Sequence, residues 1–180
     1  QETIDKTTTD FGAVLEKLKA GAPDQVVTIL GPYTAAVFKA YEASGWRVPL
    51  TGRIDFAQAL AAVSPQFRES DALSGMTSIA VFTPAQQIPA IQDFVSSYRA
   101  HYGLVPTQRS FFVYEATLLV ADAINRAGSD QPAAIKQALK TTTMPSLLGG
   151  TYAPDDHNHA HTPLQILAVR NGQPAVIATE

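Results

Sequence analysis

Residues 25–51 read QVVTILGPYTAAVFKAYEASGWRVPLT, and the way apolar runs alternate with turn residues in this stretch decides the fold class. Gln25 to Leu30 is a run of β-branched and aliphatic residues that predicts a short buried strand, and Gly31-Pro32-Tyr33 turns the chain. Thr34 is placed to cap a helix that carries Val37, Phe38 and Tyr41 inward and ends at Gly45. Val48 to Thr51 supplies a second strand, broken by Gly52. Further along, Asp55 with Gln58 forms an acidic version of a capping box for a helix over Phe56 to Val63, and Gly75 to Phe82 returns to strand. Toward the N-terminus, Asp10 caps a first helix with Phe11, Val14, Leu15 and Leu18 as its apolar stripe, stopped by Gly21 and Pro23. Glu2 to Ile4 has the composition of another short strand. Strand and helix alternating at this spacing predict an α/β fold, a three-layer parallel sheet with crossover helices.

From Thr83 the rhythm changes. Thr83-Pro84-Ala85-Gln86 offers an N-cap, a proline at the first helical position and a Gln at the third, ahead of the stripe Ile88, Ile91, Phe94, Val95, Tyr98, Tyr102 and the stop Gly103. Phe111 to Gly128, FFVYEATLLVADAINRAG, predicts the next helix, with Ser110 as N-cap and Gly128 as a left-handed stop. Glu115, Asp122 and Arg126 fall on one narrow line of this helix and most of the remainder is apolar, so it must be covered on more than one side. Its charges make it too polar for a membrane span. A third helix follows from Pro132 to about Lys140, so residues 83–161 hold three amphipathic helices and almost no strand. Gly149 to Ala153 reads as a brief strand, and two apolar runs, Leu164 to Arg170 and Ala175 to Thr179, flank Asn171-Gly172 as in a hairpin.

Apolar residues make up 46% of the 180, ample for a core, and charged residues only 16%, which excludes a disordered chain. A net charge of −3 argues against a nucleic-acid surface. Without cysteine, disulfides, thiol catalysis and thiolate zinc sites are excluded. No stretch resembles a signal peptide, and the opening Gln1 suggests a processed, cleaved or trimmed product.

No G-x-G-x-x-G follows a strand, and no P-loop lysine or G-x-S-x-G elbow is present, so no nucleotide cofactor or serine hydrolase is expected. In Asp155-Asp156-His157-Asn158-His159-Ala160-His161 the histidines alternate, and on a strand all three would share one side, the donor set of a zinc or copper enzyme. The same composition is that of a solvated turn, and the expectation is no metal there. Small ligands of parallel α/β sheets bind beyond the carboxyl ends of the strands. Here these ends carry Tyr33 and Thr34 after one strand and Arg53 and Asp55 after the next. Tyr33 offers an aromatic wall with a hydroxyl, Thr34 a hydroxyl at a helix start, and Arg53 or Asp55 a charge for one end of a ligand. Thr34 and Asp55 serve equally as plain helix caps and Arg53 and Arg109 as solvated surface, while a tyrosine at the position of Tyr114 is more often core than ligand.

Several segments together carry a resemblance. They are Thr9-Asp10-Phe11 opening a helix that ends in KLKAGAPDQVV, then LGPYTAAVFKAYEASGWRVPLTG, YEATLLVADAINRAG, AAIKQAL, GGTYAPDDHNH and the terminal hairpin. In this order they resemble the C-terminal half of a type I periplasmic binding protein, the branched-chain amino acid binding family of ABC importers. The resemblance implies two α/β lobes joined by three crossings that close on a small ligand, with a membrane permease as partner and a periplasmic or membrane-anchored extracellular location. It implies that residues 1–82 with 162–180 form most of the second lobe and that 83–161 return to the first. Ligand contacts are then expected at Tyr33, Thr34, Arg53, Asp55, Arg109 and Tyr114. An aromatic and an acidic residue are usual in amino acid binders; Tyr33 keeps the first and Asp55 the second. Arg109 stands where an aromatic is usual, which leaves room for a carboxylate-bearing or aromatic compound. Alternatives from other classes are a small metal-dependent hydrolase using His157, His159 and His161, and a ligand-sensing receptor domain of the same fold. The apolar faces of the Phe111 to Gly128 helix imply either a missing N-terminal half or self-association.

Overall fold

The carboxylate of Asp10 accepts the backbone N–H of Ala13 and starts helix α1 (Phe11–Ala20), whose Phe11 and Leu15 are buried. The computed structural model describes residues 1–5 and 7–180. The chain divides into two units, Gln1–Ala80 with Gln165–Thr179, and Val81–Leu164 with Glu180.

In the first unit, β1 (Val26–Ile29) and β2 (Leu50–Arg53) pair in parallel, Val26 opposite Leu50 and Ile29 opposite Arg53. They are joined by a short 3-10 turn at Gly31–Tyr33 and by α2 (Thr34–Ser44), which ends at a left-handed Gly45. Val37, Phe38 and Tyr41 of α2 are buried as the sequence predicts. Helices α3 (Phe56–Ala62) and α4 (Pro65–Glu69) lead to β3 (Thr77–Ala80). The hairpin β6 (Gln165–Arg170) and β7 (Gln173–Thr179) turns at Asn171 and Gly172, both with positive φ, and β6 pairs antiparallel with β3. Beside β2, β3 is fastened by side chains: the Thr51 and Thr77 hydroxyls lie 2.5 Å apart, and the buried Ser78 Oγ accepts from Ile54 N and donates to Ile54 O. Helices α1 to α4 share one core with Val26 and Leu50 of the two-stranded β1–β2 sheet and with Ala80, Leu167 and Val176 of the three-stranded β3–β6–β7 sheet, so they lie on one face of both.

Three local expectations change. No strand forms over residues 2–4, because Asp5 turns the chain with its carboxylate on Thr7 N and its N–H on the Thr8 hydroxyl; Ile4 packs against the core instead. Gly52 lies within β2 and does not break it. It is needed there, since at φ 114° an added Cβ would stand 2.3 Å from Thr28 O of the paired strand. The strand expected to be fully buried from Gln25 alternates: Val27 is 77% and Ile29 81% exposed.

In the second unit, α5 (Pro89–Tyr102) begins later than Thr83-Pro84 suggests. Pro89 holds Ile88 extended at φ −94° and ψ 124°, which prevents a helix from running through. Thr83 and Gln86 instead close a tight turn, with Thr83 N donating to Gln86 Oε1. Helix α6 (Gln108–Ala127) starts one turn earlier than predicted: Thr107 is the N-cap and Ser110 its reciprocal partner in a capping box. Gly128 ends it in the left-handed region as expected. Helix α7 (Pro132–Lys140) packs beside α6, where Arg126 spans Asp122, Ala138 O and the Thr142 hydroxyl. The small antiparallel pair β4 (Met144–Pro145) and β5 (Thr151–Tyr152) follows. Phe82 stacks on Phe111 at 4.7 Å, and Phe94 meets both edge-on, forming the centre of this unit's core.

Candidate ligand site

The parallel pairing of β1 and β2 puts their carboxyl ends side by side, since Ile29 is opposite Arg53. Tyr33 and Thr34 leave the first strand end, and Arg53 and Asp55 leave the second. Tyr33 is half-buried with its ring 5.8 Å from Phe11, which holds the aromatic wall in place. Thr34 is fully buried and its hydroxyl donates to Gly31 O at 3.0 Å, locking the turn into α2. Asp55 caps α3, accepting Gln58 N on one carboxylate oxygen and Gln58 Nε2 on the other. Arg53 is exposed, and among the described residues no carboxylate pairs with it. Two of the four therefore engage their own chain, while among the described residues the Tyr33 hydroxyl and the Arg53 guanidinium have no hydrogen-bond or ion-pair partner.

Arg109 and Tyr114 belong to the second unit. Both line a groove of about 580 Å³ between α5 and α6, together with Phe94, Tyr98, Tyr102 and Ser110. The Ser110 hydroxyl donates to the Tyr98 hydroxyl at 3.3 Å, and Tyr114 lies 4.9 Å from Phe94, ring centre to ring centre. Arg109 is exposed, and among the described residues no acid pairs with it. The groove therefore combines aromatic walls with one unpaired cation. Tyr98 and Tyr102 read from sequence only as part of an apolar stripe; the signal of a shared groove wall is their spacing with Phe94, four residues apart on one face of α5.

The His loop is organised by Asp155. One of its oxygens accepts the N–H groups of His157 and His159, both at 2.8 Å, and the other is 3.1 Å from His161 Nε2. These bonds, chiefly that from the His159 N–H, hold the Asp155 carboxyl below its ordinary range. The rings of His157 and His159 lie side by side at 6.1 Å. Pro154 and Ala160 bridge the base of the loop. Among the described residues no three His, Asp or Glu side chains converge as metal ligands. Nor is any helix among them long and apolar enough to cross a membrane.

The sequence matches the periplasmic binding protein family over residues 1–174. No curated protein matches it. Among solved structures, the chain superposes on a solute-binding protein of an ABC transporter from R. palustris in complex with benzoate, with a TM-score of 0.81 and 18% identity, covering 98% of this chain and 48% of that one. A second from R. palustris, in complex with 4-hydroxybenzoate, gives 0.80 at 21% identity, covering 99% and 51%. A leucine-binding protein from Thermotoga maritima gives 0.69 at 24% identity, covering 98% and 50%. The chain thus spans about half the length of these proteins. The match over nearly its whole length places the chain in the periplasmic binding protein family, with the type I α/β fold.

Proposed function

We propose that this chain is part of a solute-binding protein of an ABC importer, and that it binds a small carboxylate, an amino acid or an aromatic acid, without catalysing a reaction. The observation that carries the reading is the uncommitted Arg53 guanidinium at the carboxyl end of a parallel strand pair, beside the strand end that bears Tyr33. Arg109 supplies a second unpaired cation next to aromatic walls. Asp55 and Tyr114 are the further contacts in this proposal, while Thr34, buried and bonded to Gly31 O, sets the turn that carries Tyr33. The family binds small solutes, works with ABC transporter permeases and is periplasmic or extracellular, so a permease partner and that location go with the proposal. Benzoate and 4-hydroxybenzoate, bound in two of the similar structures, and leucine, after which the third protein is described, all bear a carboxylate, which supports the ligand class.

The test is a thermal-shift screen of amino acids, aromatic acids and dicarboxylates on the longest protein that contains this chain, followed by calorimetry. Replacing Arg109 or Arg53 by Ala is expected to weaken the best ligand by about 1.5 to 3 kcal/mol, the scale of a hydrogen bond to a charged group. Unchanged affinity in the Tyr33, Arg53 and Arg109 single Ala variants would show the assigned site to be wrong. Stoichiometric zinc or copper that disappears on replacing His159 would favour the metal-dependent hydrolase instead.

A further inference from the structure

Where β3 ends at Ala80 the chain passes from the first unit to the second, and its backbone leaves the sheet, since β3 pairs with β6 only as far as Ala80. Residues 81–88 form neither strand nor helix, although Phe82, Thr83 and Gln86 are buried. Backbone polar groups buried without a ladder must find other partners. Three glutamine side chains supply them. Gln108 Oε1 accepts Val81 N at 2.9 Å and Phe82 N at 3.3 Å, and Gln86 Oε1 accepts Thr83 N at 2.8 Å. Gln86 Nε2 donates to Val81 O, and Gln92 Nε2 donates to Pro84 O and Gln86 O. Gln86 lies in the segment itself and Gln92 on α5, whereas Gln108 reaches it from the start of α6.

That first turn of α6 also carries Arg109. Thr107 and Ser110 bind each other in the capping box, the Ser110 hydroxyl donates to Tyr98 on α5, and Gln108 holds Val81 and Phe82. Phe82 in turn stacks on Phe111, the next residue of the helix. Of residues 107–110, three side chains are thus engaged, and Arg109 is the one that, among the described residues, has no acid paired with it. The helix itself does not require glutamine at its first position, because Thr107 and Ser110 already cap it. The work of Gln108 therefore lies in the segment it holds. A long side chain presents its charge at a defined place only when the backbone beneath it is fixed.

We propose that Gln108 is a positioning residue for ligand binding: by tying the first turn of α6 to the segment that leaves β3, it holds Arg109 where the ligand's carboxylate is met. The inference rests on the reading of Arg109 as a ligand contact. It adds that the segment after β3 and the turn bearing Arg109 move as one piece.

Hydrogen–deuterium exchange and calorimetry on the longest protein that contains this chain test it, with benzoate, 4-hydroxybenzoate and leucine as probes. In Q108L, which keeps the bulk of glutamine without an acceptor, the Val81 and Phe82 amides are expected to exchange about 10-fold faster than in the wild type. Q108E keeps an acceptor and should restore slow exchange. The probe that binds best is expected to lose about 10-fold in affinity in Q108L, the scale of one hydrogen bond. In an R109A background Q108L should cost nothing further, because a side chain that acts by placing Arg109 then has nothing to place. If Q108L does not fold, Q108A, in which water reaches both amides, replaces it in each comparison. Wild-type affinity in Q108L beside a loss in R109A overturns the inference and leaves the reading of Arg109 intact, and so does an equal loss from Q108L with and without Arg109. Wild-type affinity in R109A, or no probe bound by the wild type, overturns the reading of Arg109 and the inference with it.

Discussion

Phe38 in α2 and the apolar run of α6 have similar composition around them and opposite fates. In the first unit, an 11-residue helix buries Thr34, Val37, Phe38 and Tyr41 against strands and three other helices. In the second, the 20-residue α6 buries only Phe111, Glu115 and Ala123, while Phe112, Val113, Tyr114, Leu118, Val120 and Ile124 remain exposed. Length and apolar content do not bury a helix; neighbours on its faces do. Unit one supplies a sheet under α2, whereas unit two offers α6 the flanks of α5 and α7, a short strand pair and loops.

Adjacent phenylalanines break or sharpen this contrast most directly. Phe111→Ala, and likewise Phe38→Ala, should destabilise by about 3 to 5 kcal/mol, while Phe112→Ala should cost under about 1 in the chain alone, measured by urea unfolding. Comparable losses for Phe111 and Phe112 would mean that α6 is covered in solution.

Polar anchoring gives a smaller effect. Glu115 accepts the Ser146 hydroxyl at 2.7 Å and Leu147 N at 3.0 Å, and its replacement by Ala leaves both donors unpaired. The expected cost is about 1 to 3 kcal/mol. In the first unit, Gly52→Ala meets both positive φ and the Thr28 carbonyl, for about 1 to 3 kcal/mol. At Gly103, where an added Cβ meets open space, the same change should cost about 1 kcal/mol.

Thr107→Ala removes the α6 capping box and should cost about 1 kcal/mol. If it costs nothing, the first turn of α6 is held by its groove and not by its cap.

The smallest effect at neutral pH belongs to Tyr41. Burial pushes its phenol up to about 12, against the lowering pull of Arg47, while its hydroxyl donates to Val48 O. The raised value favours the neutral form in the fold, so the contribution is complete below about pH 10, the ordinary tyrosine range. It is lost as pH rises from there through about 12. Alkaline unfolding of Tyr41→Phe should be less steep than that of the wild type over this window.

Much of the fold was legible because its signals are local. Asp10, Gly45, Asp55, Gly103, Gly128 and Asn171-Gly172 act through their own backbone conformation or through bonds a few residues away, and each stands where the sequence placed it. The errors came from rival local chemistry: Asp5 turning residues 2–4 aside, Pro89 delaying α5, and Thr107 outranking Ser110 as a cap. The candidate site was legible as positions at strand ends. Side-chain commitments were not, because the same Thr34 or Asp55 can face a ligand or its own backbone.

By itself, then, the sequence determined the order of elements, the hairpin and the helix ends, since periodicity and capping are properties of short windows. Tertiary structure alone decided that Gly52 must pass over Thr28, that Ser78 would tie β3 to Ile54, and that Glu115 would be a buried acceptor. It also decided that Val27 and Ile29 would face outward. Those outcomes depend on which distant residues arrive on each side of a strand or helix, and a window of sequence carries no record of its neighbours in space.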